Sequence, residues 1–359
     1  MRSGEMLIHT PAGLYCPPGR FHIDPLCAVP RALVTHGHSD HARPGHGAVL
    51  ATAGTLGLME VRYNAGFAGR AQAAAYGENF EIGGLRVRFA PAGHILGSAQ
   101  IVIEAGNRVV VSGDYKRQPD PTAEPFELVP CDVFITEATF GLPVFRHPDA
   151  RAEIAKLLAS IHLFPERPHL VGAYALGKAQ RVIALLREAG YERPIYLHGA
   201  LLRLCEFYEA QGVRLGPLTL ATAEARRTMR GEIVLCPPSA LKELWGRRFA
   251  DPVTCFASGW MRVRQRARQK GVELPLVISD HADWPELCRT ILETGAREIW
   301  VTHGEEDALV HWALAQGLAA KPLHLIGYGE EDASREGDAP RTENAAGRET
   351  GAPARDGAA

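Results

Sequence analysis

The sequence predicts an α/β protein made of two parts, one inserted into the other. Before residue 145 the chain of 359 residues consists mainly of short apolar strands between Pro and Gly turns. After it, strands and helices alternate, which is typical of a parallel sheet. Histidines and aspartates that could bind metal, like those of the first part, reappear beyond residue 270. We therefore expect one domain formed by 1–145 and 271–330, with a second domain, 146–270, inserted into it.

The first part is predicted to be rich in strands. They are expected at 6–9, 14–16, 20–23, 31–34, 48–52, 85–90, 99–104, 107–112 and 132–136, with one helix at 53–63. Most of these strands are apolar runs that end in polar residues. A buried sheet brings ligands to its edge in this way.

The later part of the chain mixes both kinds of element. Helices are expected at 149–162, 177–189, 200–212, 238–246, 283–293 and 305–317. Strands are expected at 168–174, 194–198, 232–236, 252–257, 274–279 and 298–302. Residues 331–359 have almost no large apolar side chain, so we expect a disordered tail without a catalytic role.

Composition narrows the class of protein. Hydrophobic residues make up 46% and charged residues 22% of the chain, as in ordinary globular proteins. The net charge of −2 does not indicate a nucleic-acid binder, so a polyanion would need a local basic patch or metal ions. No stretch approaches the ~20 continuous apolar residues of a membrane helix. The N-terminus has no apolar signal region, so we expect a cytoplasmic protein without membrane contact.

Residues 35–41, Thr-His-Gly-His-Ser-Asp-His, place four metal-type donors within six positions. They follow a short apolar strand and precede a Pro-Gly turn, so the loop can direct His36, His38, Asp40 and His41 to one point. Neutral imidazoles and a carboxylate suit zinc, iron or manganese. A polar loop that is rich in histidine by chance is the alternative, and the length of the pattern argues against it.

Three further donors stand in comparable places. His94 lies in a loop between glycines, and Asp114 and His303 each follow an apolar strand. A carboxylate there would be costly unless it binds something. Seven donors are what two metal ions need. The expected division is His36, His38 and His94 on one ion, Asp40, His41 and His303 on the other, and Asp114 between them. Zinc is the first choice, and manganese competes because two carboxylates are present.

These stretches, in this order over residues 6–328, resemble the metallo-β-lactamase superfamily, and the inserted domain resembles that of the β-CASP nucleases. The resemblance implies an αββα sandwich with an inserted β-CASP α/β domain, and a metal-dependent hydrolase of phosphodiester bonds. Glu137 in Ile135-Thr136-Glu137-Ala138 and His281 in Ser279-Asp280-His281-Ala282 match two further motifs of that group. His281 would protonate the leaving oxygen, and Glu137 would raise the pKa of His281. With the ligand Asp40, these two residues form the predicted catalytic set.

Nucleic-acid contacts are predicted in three places. The run from Gly259 to Lys270 has five basic residues at alternating positions and could contact phosphates. A solvated basic helix is the alternative. The predicted contacts are Ser258, Gly259, Arg262 and Arg264 in this run, Lys116 and Arg117 after the bridging aspartate, and Lys178 at a helix N-terminus. Three other histidines are expected to be structural, because the ligand set is complete without them: His22, His46 and His198.

Two features of the sequence point to different nucleic acids as the substrate. His303 is typical of the RNA-processing β-CASP members, whereas crosslink-repair and Artemis-like DNA nucleases carry valine there. The segments 112–121 and 134–143 instead resemble bacterial ligase-associated DNA damage response exonucleases. We favour DNA, because this resemblance spans more residues than one motif position. It implies single-stranded ends as substrate and association with an ATP-dependent DNA ligase and a DEXH-box helicase. The polarity and the oligomeric state stay open.

Two other classes of protein remain as alternatives. An inactive β-CASP scaffold of an RNA 3′-end processing complex would have lost metal ligands, and all seven are present. A small-molecule hydrolase of the lactamase or glyoxalase type would keep the metals but would have no use for the inserted domain. An mRNA 3′-end processing ribonuclease is therefore the main alternative to the DNA exonuclease.

Overall fold

A computed structural model describes residues 6–223 and 229–323, whose strands form three sheets. The first sheet has the order β1-β2-β3-β4-β5-β6 and consists of β1 (Ile8–Thr10), β2 (Gly13–Cys16), β3 (Phe21–Ile23), β4 (Arg31–Leu33), β5 (Ala48–Thr52) and β6 (Ala71–Ala74). The second sheet has the order β19-β18-β11-β10-β9-β8-β7 and consists of β7 (Phe80–Ile82), β8 (Leu85–Pro91), β9 (Ala99–Ala105), β10 (Asn107–Val111), β11 (Val133–Ala138), β18 (Glu298–Gly304) and β19 (Ala319–Pro322).

The third sheet has the order β14-β13-β15-β12-β16-β17, and its strand pairs are parallel. It consists of β12 (His169–Gly172), β13 (Ile195–Leu197), β14 (Leu218–Leu220), β15 (Ile233–Cys236), β16 (Val253–Ala257) and β17 (Leu274–Leu276). The helices are α1 (Ala53–Tyr63), α2 (Ala150–Leu163), α3 (Lys178–Glu188), α4 (Gly199–Ala210), α5 (Arg264–Lys270), α6 (Trp284–Glu293) and α7 (Glu306–Ala315).

The first two sheets pack face to face, and helices cover their outer faces. The alternation of β10 shows how the sequence produces these layers, because successive side chains of a strand point to opposite faces. Val109 and Val111 pack between the sheets with Phe21 and Leu33 of the first sheet. Val110 packs on the other face, in the cluster that contains Leu287 of α6. The fold is therefore the αββα sandwich that the sequence predicts.

The third sheet belongs to the inserted segment and shares a hydrophobic cluster with the sandwich. Ile95 and Leu96 come from the loop that carries His94, and they are buried in the same cluster as Leu176 and Ala179 of the insert. The insert is thus packed against one of the ligand-bearing loops. Burial of apolar side chains on both sides makes this contact part of the folded core.

The structure corrects several sequence-based expectations. The helix predicted at 238–246 is wrong: two short 3₁₀ helices, Pro238–Leu241 and Gly246–Arg248, stand there. Prolines at 237 and 238 and a glycine at 246 disfavour one continuous helix. The strand predicted at 274–279 is shorter and pairs with β16 of the third sheet, so that sheet extends past residue 270. Four short strands escaped prediction: β6, β7, β14 and β19.

The predicted tail, 331–359, lies outside the described residues. Among the residues that the structure describes, no helix combines the length and the apolar character needed to cross a bilayer.

Candidate metal centre and active site

The loop after β4 brings the first ligands together. Backbone amides of His41 and Ala42 donate to the carbonyl of His38, at 3.1 and 2.7 Å, and fold the loop into a tight turn. Gly113 lets the end of β10 approach this loop, because a Cβ atom there would lie 2.7 Å from the Thr35 side chain. Asp114, the next residue, therefore reaches the centre of the histidines.

The other six predicted ligands lie around Asp114. Its Oδ2 atom is 3.4 Å from His36 Nε2, 3.6 Å from His41 Nε2 and 3.8 Å from His94 Nε2. His38 Nδ1 lies 3.1 Å from His94 Nε2. On the other side, Asp40 Oδ2 is 3.7 Å from His41 Nε2, and the His303 ring stacks on the His41 ring at 4.7 Å between centroids.

In His94 and in each histidine of the loop, the ring nitrogen that points away from Asp114 forms a hydrogen bond that orients the ring. His41 Nδ1 donates to Asp24 Oδ2 at 2.8 Å, and His36 Nδ1 donates to Thr35 Oγ1 at 3.1 Å. His94 Nδ1 donates to the Asp280 carbonyl at 2.8 Å, and His38 Nε2 donates to the Leu176 carbonyl at 3.3 Å. These bonds select the tautomers that leave His36, His41 and His94 Nε2, and His38 Nδ1, to face the centre.

A β-bulge places His303. In the pairing of β11 with β18, Glu137 faces Thr302 and Ala138 faces Gly304, so His303 is the extra residue. Its backbone is left-handed, with φ +57°, which is rare for a residue with a Cβ atom. Bulges next to active sites redirect a side chain. Here the bulge directs the His303 ring onto that of His41.

The donor set fits metal ions. Among the described residues, His36 Nε2, Asp40 Oδ1 and Asp114 Oδ1 are buried without a hydrogen-bond partner. Buried polar atoms are almost always satisfied, so these atoms indicate a cation-binding site. Burial, followed by the neighbouring histidines, lowers the pKa of both His36 and His94 well below the usual range, which keeps them neutral as ligands must be. Burial raises the pKa of Asp114 to about 7, against the attraction of His41.

His281 and Glu137 form a pair beside the centre. His281 Nδ1 donates to Glu137 Oε2 at 2.9 Å, and the backbone amide of Tyr115 donates to Glu137 Oε1 at 2.8 Å. Glu137 is fully buried, whereas the His281 side chain keeps 17% of its surface. Burial opposes protonation of His281, but Glu137 and, to a smaller extent, Asp114 and Asp280 together raise its pKa to about 9. The structure therefore presents an accessible imidazolium next to Asp114.

The predicted nucleic-acid contacts lie in different environments. Lys178 is buried in an ion pair with Asp280, which corrects the expectation that it binds phosphate at an open helix N-terminus. Lys116 is also buried, and Arg117 pairs with Glu293 at 2.7 Å. Ser258 is buried and its hydroxyl accepts the Trp260 amide, while Gly259 is buried beside Phe140. Arg262 and Arg264 are exposed.

Three residues of the site were missed by sequence reasoning. Asp24 directly follows β3, so its place at a strand end could have revealed it. Asp280 adjoins His281 but orients His94 through its carbonyl, which no side-chain pattern reports. His147 packs against Phe140 at 4.5 Å between centroids, and both its ring nitrogens are buried without a hydrogen-bond partner in the described chain.

His147 also lies among cations. Burial, followed by Lys116, Lys178, His281 and Arg262, lowers the pKa of His147 to about 3. Its ring is therefore neutral, with one N–H able to donate.

The chain is similar to several known proteins. A protein of Opitutus terrae described as a probable DNA ligase is 28% identical over 316 residues, 86% of this chain and 30% of that protein. The endoribonuclease ysh-1 of Neurospora crassa is 34% identical over 145 residues, 37% of this chain and 17% of that protein. The chain thus spans less than a third of the length of these two relatives. No protein-family model matches it.

A solved structure supports the fold. The crystal structure of a protein of unknown function from Enterococcus faecalis V583 superposes with a TM-score of 0.55 at 12% identity, covering 81% of this chain and 78% of that one. The sandwich, the inserted sheet and the ordered ligand motifs agree with the resemblance to the β-CASP nucleases of the metallo-β-lactamase superfamily, and the solved structure supports the fold alone.

The first prediction separates ligand from structural histidines. His36→Ala should lose bound zinc, measured by elemental analysis of the purified protein, because it deletes a donor that faces Asp114. His46→Ala is the matched control, since His46 is equally buried but its Nδ1 accepts the Val29 amide at 3.3 Å. It should retain the zinc content of the unchanged protein. Equal zinc loss in both variants would contradict the ligand assignment.

Proposed function

We propose that this chain is a metal-dependent nuclease that removes nucleotides from single-stranded DNA ends in DNA repair. One observation carries the proposal: six donors gather around a seventh, Asp114, and the His281–Glu137 pair stands directly beside them. A metal centre with an adjacent proton donor is what hydrolysis of a phosphodiester requires, because both the attacking and the leaving oxygen must be stabilised.

Two ions, zinc or alternatively manganese, would supply Lewis acidity toward the phosphodiester when bound. His36, His38 and His94 would hold one ion, and Asp40, His41 and His303 the other. Asp114 is central enough to contribute to both. The carboxylate of Asp40 is a ligand on the more open side of the centre, where the side chain keeps 20% of its surface.

His281 is the proposed proton donor. Glu137 accepts from its Nδ1, so the proton available to the leaving oxygen is the one on Nε2. Two fixed hydrogen bonds hold the Glu137 carboxylate, and they keep the ring orientation constant during turnover. The proton is thus delivered from a defined direction to the alkoxide that forms when the phosphodiester breaks.

Basic residues near the site would hold the substrate backbone. Arg262 in the 3₁₀ turn before α5 and Arg264 at its start are exposed, and Arg266 stacks on Trp260, 3.9 Å from the ring centroid. Trp260 packs on Phe140 and Phe145 and so supports this surface rather than presenting a free face to a base. His147 could donate one further hydrogen bond to a phosphate that approaches its cationic surroundings.

The DNA proposal draws on the similarity over 86% of the chain to a probable DNA ligase. Because that longer protein is described as a probable DNA ligase, the similarity supports a DNA ligase as a proposed partner, and a DEXH-box helicase stays a second proposed partner. RNA processing is the second candidate function, favoured by His303 and by the shorter match to an endoribonuclease.

The deciding experiment offers both substrates to one preparation. Purified protein, loaded with Zn²⁺ or with Mn²⁺, is incubated with end-labelled DNA and RNA strands of one sequence. We expect mononucleotides to accumulate from DNA and not from RNA. Preferential cleavage of RNA would replace the proposal with the ribonuclease alternative. Turnover of a β-lactam or thioester without cleavage of either strand would overturn both.

His281→Ala should lower kcat by about 10²–10⁴-fold, the usual contribution of general acid catalysis, while binding changes little. Single-turnover rates and substrate dissociation constants measure the two effects separately. His311→Ala removes an exposed histidine of α7 and serves as the control. Cleavage by His281→Ala at the unchanged rate would refute the proton-donor role.

Replacing Arg262 and Arg264 together by alanine should reduce the salt dependence of binding. Each phosphate contact on a single strand contributes about 0.7 to the slope of log K against log salt concentration. The loss should therefore approach twice that value in a salt titration. Arg247 and Arg248 are exposed neighbours in the same inserted segment, so their double replacement is the control. An unchanged slope would remove α5 from the substrate path.

A further inference from the structure

A turn of the inserted segment contacts the ligand histidines. The Leu176 carbonyl, between β12 and α3, accepts the hydrogen bond from His38 Nε2 at 3.3 Å. Leu176 lies 138 residues away from His38 in the sequence. The partner that orients His38 therefore comes from the inserted segment, which carries the third sheet.

The same turn also affects His94 indirectly, through Asp280. Lys178, the first residue of α3, forms an ion pair with the Asp280 carboxylate, and their side chains are only 3% and 8% exposed. The carbonyl of Asp280 accepts the hydrogen bond from His94 Nδ1. Lys178 thus anchors the residue whose backbone orients His94.

The turn is rigid enough to fix both contacts. Gln180 Oε1 accepts the Gly177 amide at 2.8 Å, and Gln180 Nε2 donates to the Ala175 carbonyl at 3.0 Å. Gly177 has φ +83°, and a Cβ atom there would lie 2.3 Å from Ile95 Cγ2 and 3.8 Å from His38 Nε2. Only glycine allows the backbone this close to the ligand loop.

We propose that the turn Leu176–Lys178 positions His38 and His94, so that the inserted segment is a working part of the metal centre. An insert that only held substrate would have no need to hydrogen-bond His38 and to anchor Asp280, whose carbonyl orients His94. Removing a group that orients a ligand typically weakens metal binding by about 10- to 100-fold. The insert should therefore set the affinity for the ion of His36, His38 and His94. This inference rests on the two-ion centre of the proposed function.

Zinc affinity provides the test, because it can be measured without nuclease turnover. The dissociation constants of both zinc ions are determined by competition with a chromophoric chelator, and circular dichroism checks the fold of each variant. Lys178→Met and Gly177→Ala should each weaken one ion by about 10- to 100-fold and leave the other unchanged. If Lys178→Met fails to fold, the double variant Lys178→Met/Asp280→Asn removes both charges and tests the same contact.

Each variant has a matched control. Arg181→Met breaks the neighbouring buried ion pair with Asp120, which also joins α3 to the sandwich but involves none of the seven donors. Gly190→Ala introduces the same backbone strain at the other end of α3, with φ +81° and no atom within 4 Å of the added Cβ. Both controls should bind both zinc ions with unchanged affinity.

The outcomes are distinguishable. Unchanged zinc affinity in Lys178→Met and Gly177→Ala would overturn the inference. An equal loss in Arg181→Met would also overturn it, because the effect would then be general loosening of the insert. If the unchanged protein binds two zinc ions but cleaves neither DNA nor RNA, the proposed function fails while the positioning role can still be measured.

Discussion

The buried carboxylate of Asp114 is the constraint on which the rest of the site depends. Removing a carboxylate from water is costly unless a cation or hydrogen bonds compensate it, and burial already raises its pKa. Burial lowers the pKa of His36, His94 and His303 well below the usual range, so these neighbouring imidazoles do not neutralise it. Bound positive ions would face this carboxylate together with the buried donor atoms that have no hydrogen-bond partner, and would so stabilise the arrangement.

Four histidines, three in the loop after β4 and His94, are oriented by hydrogen-bond acceptors on the side that faces away from Asp114. Asp24, Thr35, the Asp280 carbonyl and the Leu176 carbonyl each accept an outer N–H. Because these acceptors come from the first sheet, the loop itself, the return segment and the insert, the centre assembles only when all four parts are in place. Metal binding and folding should therefore be tightly coupled.

Two buried ion pairs join α3 to the sandwich, Lys178 with Asp280 and Arg181 with Asp120. Buried pairs often contribute little net stability, because desolvation offsets their attraction. Their value here is geometric, since charged partners must meet at one position of the insert relative to the ligand loops. The shared hydrophobic cluster around Ile95 and Leu176 supplies the stability that the charges do not.

The sequence by itself predicted the inserted segment and the seven donors that the structure brings together, and the family resemblance implied the sandwich; the role of the donors as metal ligands stays a prediction. Strand ends followed by His or Asp are local patterns, and a parallel or layered sheet necessarily brings such ends to one edge. The structure also confirms that Glu137 lies beside His281, as the motif order implies. Their catalytic roles stay predictions.

Only the tertiary structure decided which groups orient the predicted ligands and which basic side chains stay exposed to solvent. The carbonyls of Leu176 and Asp280 carry no sequence signature, because every residue has a carbonyl. The burial of Lys178 depends on Asp280, a partner 102 residues away. The left-handed bulge at His303 arises from pairing between two strands that are distant in the chain. Such long-range contacts are the physical reason why local patterns located the metal ligands but misjudged Lys178 as a free phosphate contact.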